Sequence, residues 1–149
     1  MANSWKRRIL TVIVMMVITI GLIWLETYKR QREQYNLAEK YFQAQDYPKA
    51  MQCYDSAIHM YTPWSTKVQK SAEKLFEIGQ MYEKKQEFDM ALNAYRYLRS
   101  SFYAVRWLVQ PYKEWIQKSD DAIARVLREQ DASQSQPVSE PSPAQEKTQ

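Results

Sequence analysis

The segments LAEKYFQAQDYPKAMQCYDSA (37–57) and IGQMYEKKQEFDMALNAYRYL (78–98) carry the same pattern of small and aromatic residues. Four landmarks in the first segment keep spacings of 3, 9 and 4 and recur 41 positions later: Ala38, Tyr41, Ala50 and Tyr54, then Gly79, Tyr82, Ala91 and Tyr95. Small residues at the first and third positions allow two antiparallel helices to approach closely, and the tyrosines fill the space beside them. The pattern predicts two similar helical hairpins, which favours binding over catalysis.

Composition limits the chemistry that the chain can support. Its 149 residues suffice for one small domain with extensions. Two glycines leave few sites for tight turns or phosphate-binding loops, which favours an all-helical fold. A single cysteine, Cys53, and a single histidine, His59, exclude an internal disulfide and a Cys/His metal site. We therefore predict an all-α protein that uses no cofactor or metal ion and acts on no small-molecule substrate.

Residues 9–25 contain no charged side chain, and 17 helical residues span about 25 Å, enough for a short transmembrane helix. Aromatic residues flank this run at Trp5, Trp24 and Tyr28, where membrane interfaces favour them. A cleaved signal peptide is the alternative, but no small-x-small cleavage site follows the run. We expect a basic head at 1–8 and an uncleaved anchor at 9–25 that inserts into the bilayer.

The basic residues of the chain bear on membrane orientation. The net charge is +4, yet 17 acidic residues are interspersed with the basic ones, which does not favour nucleic-acid binding. Two basic clusters flank the apolar run: Lys6, Arg7 and Arg8 before it, and Lys29, Arg30 and Arg32 after it. The clusters nearly balance, but a short head needs no translocation. We expect the N-terminus in the cytoplasm and, in a bacterium, the repeats in the periplasm.

The remaining chain divides into a helical domain at 26–130 and a tail at 131–149. No glycine or proline interrupts the sequence from Glu26 to Pro48, so anchor and first hairpin helix could be continuous. Asp46 is expected to cap the second helix, and Thr62 with Pro63 to begin the third, which would run to Lys85. A last helix at 112–130 is expected to cap the fold. The Ser-, Gln-, Pro- and Glu-rich tail is expected to be disordered.

These residues resemble the tetratricopeptide repeat (TPR) family, whose 34-residue units place small and aromatic residues at the same spacings. Leu37 and Ile78 precede the two small residues, and Pro48 begins the second helix of the first hairpin. The resemblance covers about residues 31–105 and does not identify a subfamily. Together with the apolar run at 9–25, the resemblance predicts an all-α fold in which a single N-terminal transmembrane helix is followed by a short TPR-like α-solenoid. The solenoid would comprise two helical hairpins and a C-terminal capping helix.

The same resemblance implies a groove, lined by the first helix of each hairpin, that binds peptides or partner proteins. By register, the groove residues are Arg32, Tyr35, Glu39, Phe42, Gln43, Phe76, Gln80, Glu83 and Lys84, with Glu73 beside them. The aromatic members would be rigid anchor surfaces for a partner. Alternatively, a two-unit stack closes on itself, and the terminal helix or the partner hairpin buries these rings.

A second candidate surface lies further along the chain. Arg96, Arg99, Tyr103 and Arg106 recur at helical spacing and could bind a carboxylate or phospholipid headgroups. A solvated face paired with nearby acidic residues is the alternative reading. His59 has no serine, cysteine or aspartate at a spacing typical of a catalytic triad, so we do not expect an enzyme.

Together these patterns predict a membrane-anchored scaffold or adaptor, mediating protein–protein interaction in a bacterial envelope complex. Its partners would be membrane or envelope proteins, and it would reside in the inner membrane as a single-pass subunit. The alternative is a transport or import receptor, with the repeats in the cytosol, that binds amphipathic peptides.

Overall fold

The computed structural model describes residues 2–60, 65–105 and 112–135, and within them every regular element is an α-helix. Five helices follow one another: α1 (Ala2–Gln43), α2 (Tyr47–His59), α3 (Thr66–Lys84), α4 (Phe88–Ala104) and α5 (Lys113–Ser135). Helices α1 and α2 form one antiparallel hairpin, and α3 and α4 form the next. The predicted fold class, a long apolar N-terminal helix followed by solenoid-like hairpins, is confirmed.

The repeated landmarks form the interior of each hairpin, as the sequence predicts, except that Tyr41 is only partly buried at the edge of the core. Ala38, Ala50 and Tyr54 are completely buried in the first hairpin. In the second, Ala91 and Tyr95 are completely buried and Tyr82 nearly so. Gly79 lies against the Tyr95 ring so closely that an added Cβ would lie 2.7 Å from its Cζ atom. The small residue at this position is therefore required by the aromatic ring that crosses it.

Both hairpin turns use the same backbone geometry. Gln45 and Gln86, again 41 positions apart, adopt left-handed φ angles of 59° and 60°. The amide of Asp46 donates to the Tyr41 carbonyl at 2.9 Å, and the amide of Glu87 donates to the Tyr82 carbonyl at 3.0 Å. These bonds satisfy carbonyl groups at the ends of α1 and α3. Glycine or asparagine is the usual residue at a left-handed position after a helix, so two glutamines do not predict this geometry.

Helix α1 is continuous through the apolar run and into the first hairpin, as expected from the absence of glycine and proline after Glu26. Its first buried contact after the apolar run is Gln31, which is completely inaccessible to solvent. The Gln31 side-chain amide donates to the carbonyls of Ala57 at 3.0 Å and Met60 at 2.8 Å, and its oxygen accepts from Ser65 Oγ. One side chain thus joins α1 to the end of α2 and the beginning of α3.

Two helix boundaries differ from the prediction, and one capping prediction is confirmed. Asp46 caps α2, since its carboxylate accepts from the Lys49 amide at 3.3 Å. The predicted start of α3 at Thr62 and Pro63 lies outside the described residues; α3 begins at Thr66 with Ser65 as its N-cap. Ser65 can act as the N-cap because its hydroxyl is positioned by a hydrogen bond to Gln31. Helix α5 continues to Ser135, past the expected end at 130, since no proline or glycine stops it there.

Helix α5 occupies the place of the first helix in a third unit. Against the unit before it, α5 packs mainly on α4 and touches α3 at a few points, just as α3, against the first unit, packs mainly on α2 and touches α1 at a few points. Trp115, Ile116, Ala122 and Val126 contribute its buried side. The first helix of each successive unit is therefore, in chain order, the distal part of α1, then α3, then α5.

The apolar run of α1 has no intramolecular partner. Each large hydrophobic side chain that the structure describes between Ile9 and Leu25 is exposed, with fractions such as 46% for Ile9 and 49% for Leu25. Within the described residues, α1 is the helix that is long and apolar enough to cross a membrane by length and composition. A contiguous exposed surface of this kind indicates a membrane or another apolar environment.

The contact of Gly79 with Tyr95 can be tested by Gly79→Ala. In a helix this substitution normally stabilises by about 1 kcal/mol. Here the added methyl group must displace a buried ring, at a cost of about 1–3 kcal/mol, so we expect net destabilisation in thermal unfolding.

The control repeats Gly79→Ala in a Tyr95→Leu background, which lacks the ring atoms that the methyl group would meet. There the same substitution should be neutral or stabilising. Equal destabilisation in both backgrounds would show that the ring contact is not the reason for glycine.

Candidate functional site

The candidate binding surface, here called the inner face, consists of the exposed sides of α1 from residue 32 onward, α3 and α5. These three helices lie side by side because each begins a successive unit of the solenoid. Side chains at the seams between neighbouring helices contact one another. The contacts decide which of the predicted residues remain available to a partner.

At the seam between α1 and α3, two lysines cover two aromatic rings. Lys67 Nζ lies 4.1 Å from the centre of the Tyr35 ring, and Lys74 Nζ lies 4.4 Å from the centre of the Phe42 ring. Both rings are half-buried. Contacts of this kind contribute about 0.5–1 kcal/mol each at exposed sites. Tyr35 and Phe42 therefore connect the first unit to the second and also form part of the inner face.

Tyrosine–carboxylate hydrogen bonds connect the core of each hairpin to the inner face. Tyr54 Oη donates to Glu39 at 2.7 Å, and Tyr95 Oη donates to Glu83 at 2.8 Å. Burial and these carboxylates raise the pKa of both tyrosines, which keeps the phenols protonated as donors. Burial and the Glu39 carboxylate also raise the pKa of Tyr35, to about 12.

At the seam between α3 and α5, the terminal helix engages two of the predicted groove residues. The Phe76 ring lies 6.0 Å from the Trp115 ring and 5.3 Å from the Tyr95 ring, between centres. Arg125 donates to Glu83 through Nε at 2.6 Å and Nη2 at 3.0 Å. The Arg125 guanidinium thereby holds the pKa of Glu83 below its ordinary value of 4.5, against the opposing effect of burial. For these two residues, the terminal helix fills the place of a partner.

Four predicted site residues remain exposed on the inner face, and the structure gives them no side-chain partner within its described part: Arg32, Gln43, Gln80 and Lys84. Glu73 is also exposed and accepts from Gln69 at 3.1 Å. Lys74 forms a 2.8 Å ion pair with Glu77 on the same helix. The accessible inner face is therefore polar and carries both signs of charge. Such a surface suits hydrogen bonds and ion pairs with a folded partner more than insertion of an apolar peptide.

The second candidate surface lies on the exposed side of α4. Arg99 forms a 3.0 Å ion pair with Asp120 of α5, and its guanidinium carbon lies 5.9 Å from the centre of the Tyr103 ring. Arg96 is exposed beside a shallow depression lined by Asn93, Tyr97 and Ser100. Arg106 lies outside the described residues. In the described part of this surface, Arg99 is therefore paired within the protein and Arg96 faces solvent.

One cluster contains the Asp, His and Ser residues of a catalytic triad but does not have the geometry of a triad. Asp55 accepts from Ser101 Oγ, and His59 Nδ1 lies 3.3 Å from the same carboxylate. A hydrolytic triad requires the serine hydroxyl to bond the imidazole, whereas here Ser101 bonds the aspartate. The cluster instead joins α2 to α4. Within the described residues, no group of three His, Cys, Asp or Glu side chains is placed to hold a metal ion.

Sequence reasoning missed the residues that close the seams: Lys67, Lys74, Trp115 and Arg125. Each contacts a residue on a different helix, and none belongs to the small and aromatic landmarks of the repeat. The available signal was indirect. A two-unit stack that closes on itself would bury the groove rings, but nothing in the sequence shows which residues would meet them.

The Glu83–Arg125 pair predicts a specific pH dependence. Because the pKa of Glu83 is lower in the folded protein, the pair stabilises the fold above about pH 4.5 and this contribution is lost as the pH falls through the lower folded value. Arg125→Gln should reduce the free energy of unfolding by about 1 kcal/mol at pH 7, as expected for a half-exposed pair. The difference from wild type should vanish in acid.

The matched control is Arg128→Gln on the same helix, because Arg128 donates only to the Ala124 carbonyl of its own helix. Unfolding of the three proteins would be followed from pH 3 to pH 7. A difference for Arg125→Gln that persisted unchanged to the lowest pH would contradict the assignment.

Comparison with protein families gives one match, over the part of the chain that builds the two hairpins. The model of the soluble NSF attachment protein (SNAP) family matches residues 24–105, more than half of the chain. No curated protein and no solved structure matches. The family has a TPR-like superhelical fold and comprises non-enzymatic adaptors between proteins. The predicted helical repeat is thus supported, although the matching family is not the TPR family itself. The chain belongs to the soluble NSF attachment protein family.

Proposed function

We propose that this protein is a membrane-anchored adaptor that holds a partner protein close to the bilayer. The observation that carries the proposal is α1: one helix contains the unpartnered apolar run and also forms the first helix of the repeats. From Leu25, the end of the run, to Gln31, the first buried residue after it, the helix rises about 9 Å. A partner bound to the repeats would therefore stay within tens of ångströms of the membrane.

Membership of a family of adaptors supports the binding role. Confinement to a membrane surface adds to it, because tethering raises the effective concentration of partners in the same bilayer. We propose residues 1–8 as the basic head, 9–25 as the span and 26–135 as the adaptor domain. An uncleaved anchor agrees with the lack of a signal-peptidase motif after the run.

We propose the inner face as the partner-binding surface, with Arg32, Gln43, Gln80 and Lys84 making direct contacts. Tyr35, Glu39 and Phe42 would contribute at its edge, since they are only half-buried. Phe76 and Glu83 would act indirectly, by fixing α5 beside α3. A surface of mixed charge favours a folded protein partner.

We further propose that the N-terminus lies in the cytoplasm and the repeats in the periplasm, as part of a bacterial envelope complex. The short basic head supports this orientation. The cytosolic import receptor is the competing function. An amphipathic peptide needs apolar contact area, yet the aromatic rings of the inner face are held in contacts within the protein. The exposed polar side chains therefore favour the adaptor.

The binding surface can be tested by site-specific photocrosslinking in cells. A photoreactive amino acid would replace Gln43 or Gln80, both exposed on the inner face. We expect a discrete adduct of higher mass from both positions, because a docked partner would lie against them.

The matched controls are Gln52 on α2 and Asn93 on α4, which are exposed on the second helices of the hairpins. These positions should give no adduct. Adducts from the control positions alone would place the partner on the other side of the solenoid and contradict the proposal.

A further inference from the structure

The ends of α2 and α4 and the beginnings of α3 and α5 lie at one end of the solenoid, here called the basal end, at the level where α1 emerges from its apolar run. Gln31 bonds both Met60, just after α2, and Ser65, just before α3, so these helix ends lie beside α1. Phe102 near the end of α4 packs against Tyr112 just before α5, with ring centres 5.4 Å apart. The first turns of α3 and α5 therefore begin at the end of the domain that would face the bilayer.

The basal end carries an excess of basic side chains. Five of them are exposed or half-exposed and are called the basal cations: Lys29, Arg32, Lys67, Lys70 and Lys113. Two acidic groups at this end already have partners within the protein. Glu26 pairs with Arg30 at 3.2 Å, and Asp55 accepts from Ser101. Glu33 and Glu114 are exposed, which leaves the basic side chains in excess.

The opposite, distal end carries both signs of charge in similar number. Acidic side chains at the α3–α4 turn and in the last turns of α5 stand beside basic ones: Glu87, Asp89, Glu129 and Asp131 beside Lys84, Lys85 and Arg128. A negatively charged surface would therefore be attracted to the basal end more than to the distal end.

We propose that the basal cations bind the headgroups of anionic phospholipids in the bilayer that α1 crosses. The inference rests on the proposed membrane anchor and adds a specific lipid class to it. Lys67 and Lys113 lie in the first turns of α3 and α5, and Lys70 lies about 5 Å further along α3. With a helix rise of about 9 Å between the apolar run and Gln31, these ammonium groups come within about one Debye length of the headgroup layer.

Lipid contact at these positions would fix the domain against the membrane as well as tether it. A membrane anchor alone leaves the domain free to rotate about the axis of α1. It also gives the domain no preference for one class of neighbouring lipid. Cations on α3 and α5, to one side of α1, would instead concentrate anionic lipids beneath the solenoid. The inner face would then keep one height above the bilayer.

The test uses the full chain in lipid nanodiscs, with a donor fluorophore at Gln69→Cys in a Cys53→Ser background. Gln69 is exposed in the first turn of α3. The acceptor is acyl-chain-labelled phosphatidylglycerol or, separately, acyl-chain-labelled phosphatidylcholine. We expect at least about threefold enrichment of the anionic lipid near the donor, since each cation near a membrane surface attracts such lipids. The preference should disappear in 1 M salt, where the Debye length is about 3 Å.

The deciding variant is Lys70→Glu with Lys113→Glu, which leaves the charges of α1 unchanged and should remove most of the enrichment. Its control, Lys40→Glu with Arg128→Glu, makes the same change in charge at two exposed positions away from the basal end and should retain it. Equal energy transfer to both lipids, or an unchanged preference in the deciding variant, would overturn the inference alone. Recovery of the chain outside the nanodiscs would overturn the proposed anchor as well.

Discussion

The hydrogen bonds of Gln31 are the contacts on which the arrangement of the molecule depends. A fully buried amide can replace its hydration only by hydrogen bonds within the protein. Gln31 does so with the carbonyls of Ala57 and Met60 and the hydroxyl of Ser65, which gives the end of α2 and the N-cap of α3 a common partner on α1. The helix that carries the exposed apolar run is therefore built into the junction between the first and second hairpins.

Patterns local to a hairpin could be predicted from the sequence, and contacts between hairpins could not. Ala38 and Tyr54, with Gly79 and Tyr95, recur at a fixed offset because each pair solves the same packing problem within one hairpin. Gln31 belongs to no such repeat, since it serves one junction, and a glutamine on a helix usually faces solvent. The start of α3 was missed for the same reason: Ser65 is a common N-cap residue, but Thr62-Pro63 gave the stronger local signal.

In the candidate site, too, the sequence predicts positions within a hairpin but not the contacts between hairpins. This division explains the proposed function. The helical register placed Tyr35, Phe42, Phe76 and Glu83 in a groove for a partner, and the structure gives them partners within the chain: Lys67, Lys74, Trp115 and Arg125. No spacing in the sequence reveals such long-range pairs. What remains exposed is polar, which supports the proposal that the inner face docks a protein at a height above the membrane set by α1.

The central claim is that α1 is a single helix shared by the membrane span and the repeats. Amide hydrogen exchange across residues 26–31, measured on the full chain in lipid nanodiscs, tests it most directly. A continuous helix held by Gln31 predicts protection there comparable to that of residues 32–38, with a selective loss of protection in Gln31→Leu. Rapid exchange at 26–31 in the wild-type protein, beside protected repeats, would show a flexible joint and contradict the account.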